Sequence, residues 1–518
     1  YCCQSGPVTD NQWDSYLGGP DRNHYSSLDQ INQGNVSQLQ VAWSYHSGDH
    51  RGDNRSEIQA NPIIVDDVLY STTPGIKAIA LNAATGKEIW KFDPFPGIDS
   101  INRPQTRHRG GVYWEDGTDR RILYTAGKYL YALNAKDGQP IESFGSGGKV
   151  DLRTGIERDT TGMFVRSNTP GAIYQDLLIL GTLVPDGTLA SPPGDIRAFD
   201  VRTGELEWVF HTIPHPGEYG YDTWPTDAYT YAGGANAWTG IAVDHERGIV
   251  YLPTGSPAFD FWGGNRKGEN LFGNSLIALN AATGERIWHF QVVKHDLWDR
   301  DLPAPPNLVT IERNGQQVDA VAQITKTGHI FVFDRETGEP LFPLEEKMYP
   351  PSDLRGEEAW PTQVFPTSPP PFSRQQYAES DYPDRSPEVN EYVRQRLIGV
   401  KQGGQYIPPT TEGVVIFPGF DGGGEWGGAA VDIETGVMYV NGNEMPWIHE
   451  MIDLKEQKSL GAKLYAANCS ACHGATREGD PQLVYPSLIN VRDRLNNGEI
   501  SHIIENGKGI MPAFAQLS

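Results

Sequence analysis

The sequence predicts an all-β fold of the β-propeller type, followed by a small all-α segment at its C-terminal end. Two observations predict the β part: a composition rich in glycine, proline and aromatic residues, and a short motif that recurs five times. A change to helix-forming residues near residue 454 predicts the α part. Together they indicate two domains, residues 1–453 and residues 454–518.

The composition excludes several classes of protein. The 518 residues include 58 glycines, 38 prolines and 13 tryptophans, and only 21% are charged. This turn-rich, aromatic-rich composition is typical of a protein with many strands and disfavours a helical bundle. The formal net charge of −24 repels phosphate backbones, which argues against nucleic acid as a partner. No segment approaches the run of about 18 apolar residues that a membrane span requires.

The repeated motif is a short apolar strand, a polar turn that contains glycine, and a second strand with alternating or aromatic residues. Another β-rich run precedes each copy. A four-stranded antiparallel unit repeated at this period is typical of a propeller blade. The copies occupy residues 80–90, 132–142, 198–208, 278–288 and 332–342, with turn glycines Gly86, Gly138, Gly204, Gly284 and Gly338.

Two further segments predict how the ring of blades begins and ends. Residues 41–47 resemble the strand after the glycine turn but have no partner strands before them, so we expect them to complete a blade formed with the far end of the chain. Residues 427–440 begin a sixth blade. At about 40–50 residues per blade, ring closure requires roughly 100 residues more. We therefore expect these residues after Ser518 or on another chain.

The α-helical segment carries the motif Cys-Ser-Ala-Cys-His at residues 469–473, after a helix predicted over residues 456–468. Thioether bonds from Cys469 and Cys472 fix the edge of a haem, and His473 supplies a nitrogen ligand to iron. A zinc site or a redox CxxC pair is the alternative. Zinc requires two more ligands nearby, and none follow at suitable spacing. The motif therefore predicts haem c.

Met511 is the predicted sixth ligand of this haem. It precedes a proline in a glycine-rich loop after the CxxCH motif, the arrangement expected of a cytochrome with Met and His as axial ligands. The sequence thus predicts a cytochrome c domain without its terminal helix. Because haem of this type is attached outside the cytoplasm, we expect the protein to be exported to the periplasm or an equivalent oxidising space.

The N-terminus leaves alternatives open. The chain begins Tyr1-Cys2-Cys3 without an initiator Met, which indicates a longer precursor from which a signal peptide was removed. A lipid attachment site, a vicinal disulfide and free thiols are all compatible with Cys2 and Cys3.

An acidic run, His-Asp-Leu-Trp-Asp-Arg-Asp, follows the fourth copy of the motif at residues 295–301. One interpretation is an acidic loop that stabilises its own turns. The other is a divalent metal site, since carboxylate oxygens are the ligands that Ca²⁺ takes. Lys326 follows Asp299 by 27 residues, in the strand before the fifth copy, where we expect it to face the same axial cavity.

Together these motifs resemble the pyrroloquinoline-quinone (PQQ) dependent alcohol and sugar dehydrogenases. The resemblance rests on the blade motif, on residues 298–301, on Gln-Ile-Thr-Lys-Thr-Gly-His at 323–329 and on residues 423–436, and it covers essentially the whole chain. It implies an eight-bladed propeller with PQQ and a cation at its axis, of which this chain covers about five to six blades. The nearest likeness is to membrane glucose dehydrogenase, in a quinohaemoprotein variant with a cytochrome c segment in a late blade.

The resemblance implies roles for individual residues. Asp299 matches the family's catalytic base, which also contacts the metal, and Lys326 matches the basic residue near the quinone oxygens. Trp238 matches the indole that lies flat against the quinone, and Arg109 matches an arginine that binds a carboxylate of PQQ. The other matches are metal ligands at Asp186, Ser256 and Asp301 and cofactor-facing residues at Gln59, Ser167 and Glu425.

Some positions depart from the family pattern. Ser256 replaces the metal-ligating Asn of alcohol dehydrogenases, and Gln59 stands where relatives often have Glu. The vicinal cysteine pair of the methanol and ethanol enzymes is absent beside Arg109, where His108 stands. Asp301 lies where lanthanide-using relatives have an extra carboxylate. Because sugar-oxidising relatives share this Asp with lighter cations, we expect Ca²⁺, with a lanthanide or Mg²⁺ as alternatives.

The implied activity is oxidation of an alcohol, polyol or sugar hydroxyl. Its mechanism combines proton removal by Asp299, a cation as Lewis acid and hydride transfer to PQQ, after which electrons continue to haem c and to a soluble or membrane acceptor. The alternative is a non-catalytic propeller scaffold with an appended cytochrome. Such a scaffold has no need for Asp299, Lys326, Arg109 and Trp238 together, so the dehydrogenase interpretation is favoured. The sequence does not specify the substrate.

Overall fold

The computed structural model confirms a mostly β protein of the propeller type. It describes residues 13–50, 56–98, 107–161, 163–187, 191–453, 459–474, 476–479, 485–508, 511 and 514. Cys2 and Cys3 lie outside these ranges. Within them, every helix is too short or too polar to cross a lipid bilayer.

Four blades are complete, and each is a four-stranded antiparallel sheet whose strands pair in chain order. Blade 1 contains β1 (Ile63–Val65), β2 (Val68–Thr72), β3 (Ala78–Asn82) and β4 (Glu88–Phe92). Blade 2 contains β5 (Val112–Asp116), β6 (Asp119–Ala126), β7 (Tyr129–Asn134) and β8 (Lys149–Asp151). Blade 3 contains β9 (Ala172–Tyr174), β10 (Leu177–Leu180), β11 (Ile196–Asp200) and β12 (Leu206–Phe210). Blade 4 contains β13 (Ala242–Asp244), β14 (Ile249–Pro253), β15 (Ser275–Asn280) and β16 (Arg286–Gln291).

Blade 5 has three strands, β17 (Asn307–Arg313), β18 (Gln316–Ile324) and β19 (Ile330–Asp334), where the motif predicts four. The expected fourth strand is reduced to one bridge between Phe333 and Pro340. Pro140 makes the same single bridge with Leu133 in blade 2, whose fourth strand is instead β8. Proline has no N–H to donate to a sheet, so the chain leaves the blade at this position.

The remaining elements follow blade 5. A hairpin of β20 (Leu344–Met348) and β21 (Thr362–Pro366) precedes α1 (Pro387–Arg396). The hairpin of β23 (Ala429–Asp432) and β24 (Val437–Val440) begins the sixth blade, while β22 (Val414–Ile416) pairs with β25 (Trp447–His449). The C-terminal segment contains α2 (Leu460–Asn468), α3 (Ser470–His473) and α4 (Asn497–Asn506). Short 3₁₀ helices span Tyr16–Gly18, Val36–Gln38, Tyr221–Thr223, Ala228–Thr230, Glu379–Asp381 and Val491–Asp493.

The first strand of each blade lies innermost, because β5, β9, β13, β17 and β23 contact one another in that order. In an antiparallel blade, the first strand begins at the end where the second strand finishes. The loops before first strands and after second strands therefore meet on one face of the propeller, around the axis. This topology decides which side chains can form a common site.

An N-terminal segment, residues 13–25, crosses several inner strands. The backbone N–H groups of Ile64, Val243, Leu308 and Val431 donate to its carbonyls at 2.8, 3.0, 3.0 and 2.9 Å. Arg22 is buried and donates to the Ile241 carbonyl at 2.7 Å. The segment thus joins blade 1 to blades 4, 5 and 6.

Tryptophans connect successive blades through the turn glycines. Each indole covers the glycine of the next turn and donates its N–H to the carbonyl three residues before that glycine, as in Trp288 Nε1 to Arg335 O at 2.9 Å. The glycines have φ near +70°, and a Cβ there would lie 2.4–2.6 Å from the ring. The pairs are Trp43 with Gly86, Trp90 with Gly138, Trp208 with Gly284 and Trp288 with Gly338.

Trp43 shows that residues 41–47 occupy the position the sequence predicts for them. No strand is assigned to these described residues. Even so, Trp43 docks on blade 1 as Trp90 docks on blade 2, with its Nε1 donating to Ala83 O at 3.0 Å. The segment therefore stands where the outer strand of a preceding blade would stand.

Candidate active site

The predicted site residues all come from loops on one face of the propeller. Gln59, Arg109, Ser167, Trp238, Asp299, Asp301 and Glu425 precede first strands, and Asp186, Ser256 and Lys326 follow second strands. The antiparallel order of the blades alone places both kinds of loop at the same end. The residues lie far apart in the sequence, and the fold brings their loops together.

Asp301 is the shared acceptor at the centre of this face. Its Oδ2 accepts from Trp238 Nε1 at 2.9 Å and from Lys326 Nζ at 3.3 Å. Lys326 also donates to Asp299 Oδ1 at 2.8 Å. The predicted convergence of the indole, the acid and the amine is therefore present in the structure. The side chains of Asp299 and Lys326 are 18% and 8% exposed, which leaves the acid more accessible than the amine.

Asp296 shapes the loop that carries Asp299, a role the sequence did not reveal. Its carboxylate accepts from the backbone N–H groups of Trp298 at 2.9 Å and Arg300 at 2.6 Å. Asp299 itself has φ +54°, a left-handed conformation that is uncommon for residues other than glycine. Hydrogen bonds on either side of Asp299 thus offset a strained backbone at the predicted base.

His295 anchors the start of the same loop. It is fully buried, and its two ring nitrogens lie 2.7 Å from the Gly268 carbonyl and 2.7 Å from Glu357 Oε1. The carbonyl can only accept, and the Glu357 carboxylate also accepts from Gly263 and Glu358 N–H groups. Contacts on both ring nitrogens therefore fix the position of this buried ring and hold the start of the loop.

Asp260 is a carboxylate that the sequence reasoning missed. It follows the second strand of blade 4, is buried, and its Oδ1 has no hydrogen-bond partner among the described residues. Burial raises its pKa well above the ordinary value, and the carboxylates of Asp186, Asp299 and Asp301 add to this effect. Its place after a second strand is the signal that indicates this face.

Electrostatics divide the acids of the site into two kinds. Burial raises the pKa of Asp299, with Asp301 adding to the effect and Lys326 opposing it. Solvent reaches Asp186, yet surrounding protein and Asp301 raise its pKa as well. For Asp301, burial acts in the same direction, but Lys326 and the hydrogen bonds from Ser256 and Trp238 outweigh it and lower the pKa. Asp301 is therefore the firmly ionised member.

Arg109 is a buried guanidinium between two indoles. Its Cζ lies 5.4 Å from the ring centroid of Trp238 and 4.5 Å from that of Trp426. Nη1 donates to Thr169 Oγ1 at 2.8 Å, whereas Nε has no partner. Among the described residues, no carboxylate forms a salt bridge with it. An unpaired buried guanidinium beside an aromatic plate fits a planar ligand that carries carboxylates, as PQQ does.

The other predicted cofactor-facing residues surround Arg109 and Lys326. Ser167 is buried and donates to the Thr169 carbonyl at 3.2 Å. The Gln59 amide donates to Glu57 at 2.7 Å, while its Oε1 is buried without a partner in the described part of the chain. Burial raises the pKa of Glu425, and the nearby Lys326 opposes this. Unsatisfied polar atoms at both Gln59 and Arg109 indicate room for a polar ligand.

Ser256 and His108 are engaged with protein groups. The Ser256 hydroxyl donates to Asp296 Oδ2 at 2.5 Å, and its backbone N–H donates to Asp301 Oδ1 at 2.6 Å. Ser256 thus orients Asp301, and its role as a metal ligand stays a prediction. His108 lies between the Thr72 and Thr125 hydroxyls, and burial lowers its pKa to about 4.

The CxxCH segment presents its histidine in a defined tautomer. Helix α2 ends directly before Cys469, and no disulfide joins Cys469 and Cys472. His473 is 6% exposed, and its Nδ1 lies 2.9 Å from the Pro486 carbonyl. Because a carbonyl can only accept, Nδ1 is the donor in this hydrogen bond, and Nε2 is the nitrogen left to bind a metal. Met511 lies in a turn with Lys508, and its pairing with His473 stays a prediction.

Comparison with known proteins identifies the propeller. Residues 13–492 match the family model described as PQQ glucose/ethanol/alcohol dehydrogenase, β-propeller domain. The quinoprotein glucose dehydrogenase of Escherichia coli is 34% identical over 469 residues, 86% of this chain and 57% of that protein. The quinoprotein glucose dehydrogenase A of Acinetobacter calcoaceticus is 32% identical over 88% of this chain and 60% of its own length.

A solved structure agrees with the sequence matches. The quinohemoprotein alcohol dehydrogenase from Pseudomonas putida HK5 superposes with a TM-score of 0.62 at 25% identity, covering 86% of this chain and 59% of that one. The chain thus spans little more than half the length of the relatives named here. On the extent of the family match and the likeness to these relatives, the chain belongs to the PQQ-dependent quinoprotein dehydrogenase β-propeller family.

Proposed function

We propose that this protein oxidises a hydroxyl group of a sugar, polyol or alcohol, with PQQ held against Trp238 and a cation among the neighbouring carboxylates. The observation that carries the proposal is the network in which Asp301 accepts from Trp238 and Lys326 while Lys326 pairs with Asp299. Glucose, glycerol and alcohol dehydrogenases among the relatives support this substrate class.

Three side chains of this site are suited to hold PQQ. The Trp238 indole offers a flat apolar surface for a planar ring. Arg109 has an unpaired Nε for a carboxylate, and Lys326 places a positive charge beside the same surface. When bound, PQQ supplies the carbon that accepts the hydride.

Asp186, Asp260, Asp299 and Asp301 would hold the cation. One ammonium group, that of Lys326, is paired directly with two of these acids. Asp260 and Asp301 are buried and Asp299 is partly buried. Such carboxylates in excess over cations are unfavourable unless protons or a metal ion balance them. Carboxylate oxygens are the ligands of Ca²⁺ and of other hard cations. We therefore propose Ca²⁺, with a lanthanide or Mg²⁺ as alternatives.

Asp299 is the proposed general base. Its pKa is raised by burial, which makes its carboxylate a stronger base towards a substrate hydroxyl than an exposed Asp would be. Its side chain is more exposed than that of Lys326 or Asp301, so an alcohol can reach it. Lys326 fixes the carboxylate by donating to Oδ1 and leaves Oδ2 for the substrate proton.

We also propose that the C-terminal segment, from residue 454 onward, is a cytochrome c domain. Cys469 and Cys472 would attach the haem through thioethers, and His473 Nε2 and Met511 Sδ would bind its iron. Bound haem supplies a one-electron carrier between the propeller and an external soluble or membrane acceptor. The name of the Pseudomonas putida relative, a quinohemoprotein alcohol dehydrogenase, supports the combination of a PQQ propeller with haem. Haem attachment of this type implies a periplasmic location.

A reconstitution experiment tests the enzyme proposal. Purified protein is titrated with PQQ in Ca²⁺, La³⁺ or chelator, and turnover of a panel of sugars, polyols and alcohols is followed with an artificial electron acceptor. We expect turnover that requires both PQQ and a cation. Arg109→Gln should weaken PQQ binding about 10- to 100-fold, since it removes a buried charged partner.

The neighbouring arginine provides the control. Arg107 is 65% exposed and pairs with Glu57, so Arg107→Gln should leave PQQ affinity nearly unchanged. A protein that binds no PQQ and turns over no substrate with any cation would instead support the second candidate function, a propeller scaffold with an appended cytochrome.

A further inference from the structure

A cluster of potential metal ligands lies outside the axial site. Glu157, His211 and His215 each offer one ligand atom, and these atoms lie within 4.8 Å of one another. His211 and His215 follow β12, whereas Glu157 belongs to the loop between β8 and β9. The cluster thus joins two separate loops. None of the three takes part in the proposed oxidation.

The spacing of the ligand atoms suits a small transition-metal ion. Zinc binds imidazole nitrogen and carboxylate oxygen at about 2.0–2.2 Å, which separates tetrahedral ligands by about 3.4 Å. Glu157 Oε2 lies 3.5 Å from His215 Nδ1. The two imidazole rings are stacked with centroids 3.8 Å apart and planes 5° from parallel.

A neighbouring carboxylate sets the tautomer of His211. Glu218 Oε1 lies 2.9 Å from His211 Nδ1 and, being a carboxylate oxygen, accepts a hydrogen bond from it. With Nδ1 engaged in this way, Nε2 is the ring nitrogen left to bind an ion. This carboxylate–histidine arrangement is the one that orients and strengthens histidine ligands in metal sites. Glu218 Oε2 also accepts from the His215 backbone N–H at 2.7 Å, so one residue fixes both histidines.

The backbone next to Glu157 is anchored by contacts that do not involve Glu218. Arg158, the next residue, donates from Nε to the Tyr229 carbonyl at 2.6 Å. The Tyr229 ring in turn contacts the His215 ring at a centroid distance of 5.1 Å. The backbone that carries Glu157 is thus tied to the loop of the histidines before any metal arrives.

We propose that Glu157, His211 and His215 form a binding site for a transition-metal cation of the Zn²⁺ class. A water molecule completes the tetrahedral coordination. The ion links the loop between blades 2 and 3 to the loop after β12. Neutral imidazoles and a carboxylate are ligands that Zn²⁺ accepts readily, whereas Ca²⁺ prefers oxygen, so the two cation sites of the molecule take different ions.

Equilibrium dialysis against Zn²⁺ tests the site in the full chain. Excess Ca²⁺ is present so that the axial carboxylates are occupied, and bound zinc is counted by elemental analysis. We expect His215→Gln to lose one equivalent of zinc per chain relative to the unsubstituted protein. His502→Gln, at an exposed histidine of α4, is the matched control and should lose none. Equal zinc content in the His215→Gln and unsubstituted proteins would overturn the proposal.

Two further measurements separate a lost ligand from a lost fold. X-ray absorption at the zinc edge of the unsubstituted protein should show two imidazole nitrogens in the first coordination shell, and a shell of oxygen alone would reject the assignment. Glu218→Gln should weaken zinc binding about 10- to 100-fold because it removes the partner that orients His211. Thermal unfolding in chelator should be similar for all variants. Turnover with PQQ is measured in parallel and should be the same in each of them.

Discussion

At the scale of single residues, Asp299 combines features that are costly in isolation. Its backbone is left-handed, its carboxylate is buried enough to raise the pKa, and Lys326 is its one hydrogen-bond donor among the described residues. Asp296 and His295 hold the loop on its N-terminal side. Strain of this kind persists where surrounding structure fixes it, and it is concentrated at functional sites.

Replacing Asp299 with Asn tests the proposed base. Asn tolerates φ +54° as well as Asp does and keeps the shape of the side chain, so the fold should be retained. Loss of a general base lowers turnover about 100- to 10,000-fold. Turnover is measured with an artificial acceptor, and PQQ binding is measured by absorbance in the same sample. Full turnover of Asp299→Asn at normal PQQ content would rule out the base assignment.

At the scale of elements, the contact between a tryptophan and a turn glycine is the unit that joins blades. Trp288 of blade 4 covers Gly338 of blade 5 and also lies 5.9 Å from the Phe333 ring. The glycine is required twice over, because φ is +72° and because a Cβ would lie 2.5 Å from the indole. The motif in the sequence therefore encodes docking between blades as well as a turn.

Gly338→Ala should destabilise the protein more than Gly315→Ala. Both glycines have positive φ, +72° and +76°, but a Cβ at Gly315 would meet nothing within 4 Å. The strain of the left-handed backbone costs about 1–2 kcal/mol at either site. Overlap with the indole adds about 1–3 kcal/mol at Gly338 only. Denaturant unfolding measures the difference. An equal decrease in the free energy of unfolding of the two variants would show that the indole moves aside without an energetic penalty.

An ionic network joins blades 4 and 5 near the end of β13. Asp244, 5% exposed, accepts from Arg247 at 2.9 Å and from Arg335 at 3.0 Å. Burial raises the pKa of Asp244, but the hydrogen bonds from these two arginines outweigh it and hold the pKa below its ordinary value. The pKa of Asp244 is thus lower in the folded protein than in the unfolded chain. Its ionised carboxylate stabilises the fold fully at pH values above its pKa in the unfolded chain. This stabilisation is lost as the pH falls through its pKa in the folded protein.

Asp244→Asn should lower the free energy of unfolding by about 2 kcal/mol at pH 7, the value of buried hydrogen bonds to charged groups. The difference from the unsubstituted protein should shrink as the pH falls below about 4, where Asp is protonated in the unfolded chain. Denaturant unfolding at a series of pH values measures this. A difference that stays constant across the series would show that Asp244 does not act through its charge.

At the scale of the whole molecule, the glycine motif predicted the strands of the blades, because it is a local pattern. The site residues Arg109, Trp238 and Lys326 came from the family resemblance, and the antiparallel order of the strands places their loops on one face. Contacts between side chains were not accessible in this way. Trp426, which stacks on Arg109, and Asp260, beside three other acids, come from blades whose relative placement only the fold decides.

The same limit explains Ser256 and the fifth blade. Alignment with relatives gives a position but not a rotamer, and the Ser256 hydroxyl is directed to Asp296 because that carboxylate also binds the loop of residues 298–300. The sequence of residues 332–342 matches the whole motif, yet Pro340 lacks the N–H donor that a fourth strand needs. The proline therefore prevents the strand that the rest of the motif predicts.

The cytochrome proposal has its own test. Met511→Ala should lower the reduction potential of the haem by on the order of 100 mV, because a thioether ligand stabilises the reduced iron. Met445, 53% exposed in the propeller, provides the control Met445→Ala, which should leave the potential unchanged. Redox titration followed by visible absorption measures both. An unchanged potential in Met511→Ala would assign the sixth ligand elsewhere.

The double use of Asp301 Oδ2 has a thermodynamic consequence. That oxygen accepts from the indole on which a ring would lie and from the ammonium that neutralises the acids around a cation. A shift of either donor therefore changes the hydrogen bond that Asp301 makes with the other donor. If PQQ and a cation bind at the proposed positions, we therefore expect each to change the affinity for the other, and thermodynamic reciprocity requires the factor to be the same in both directions.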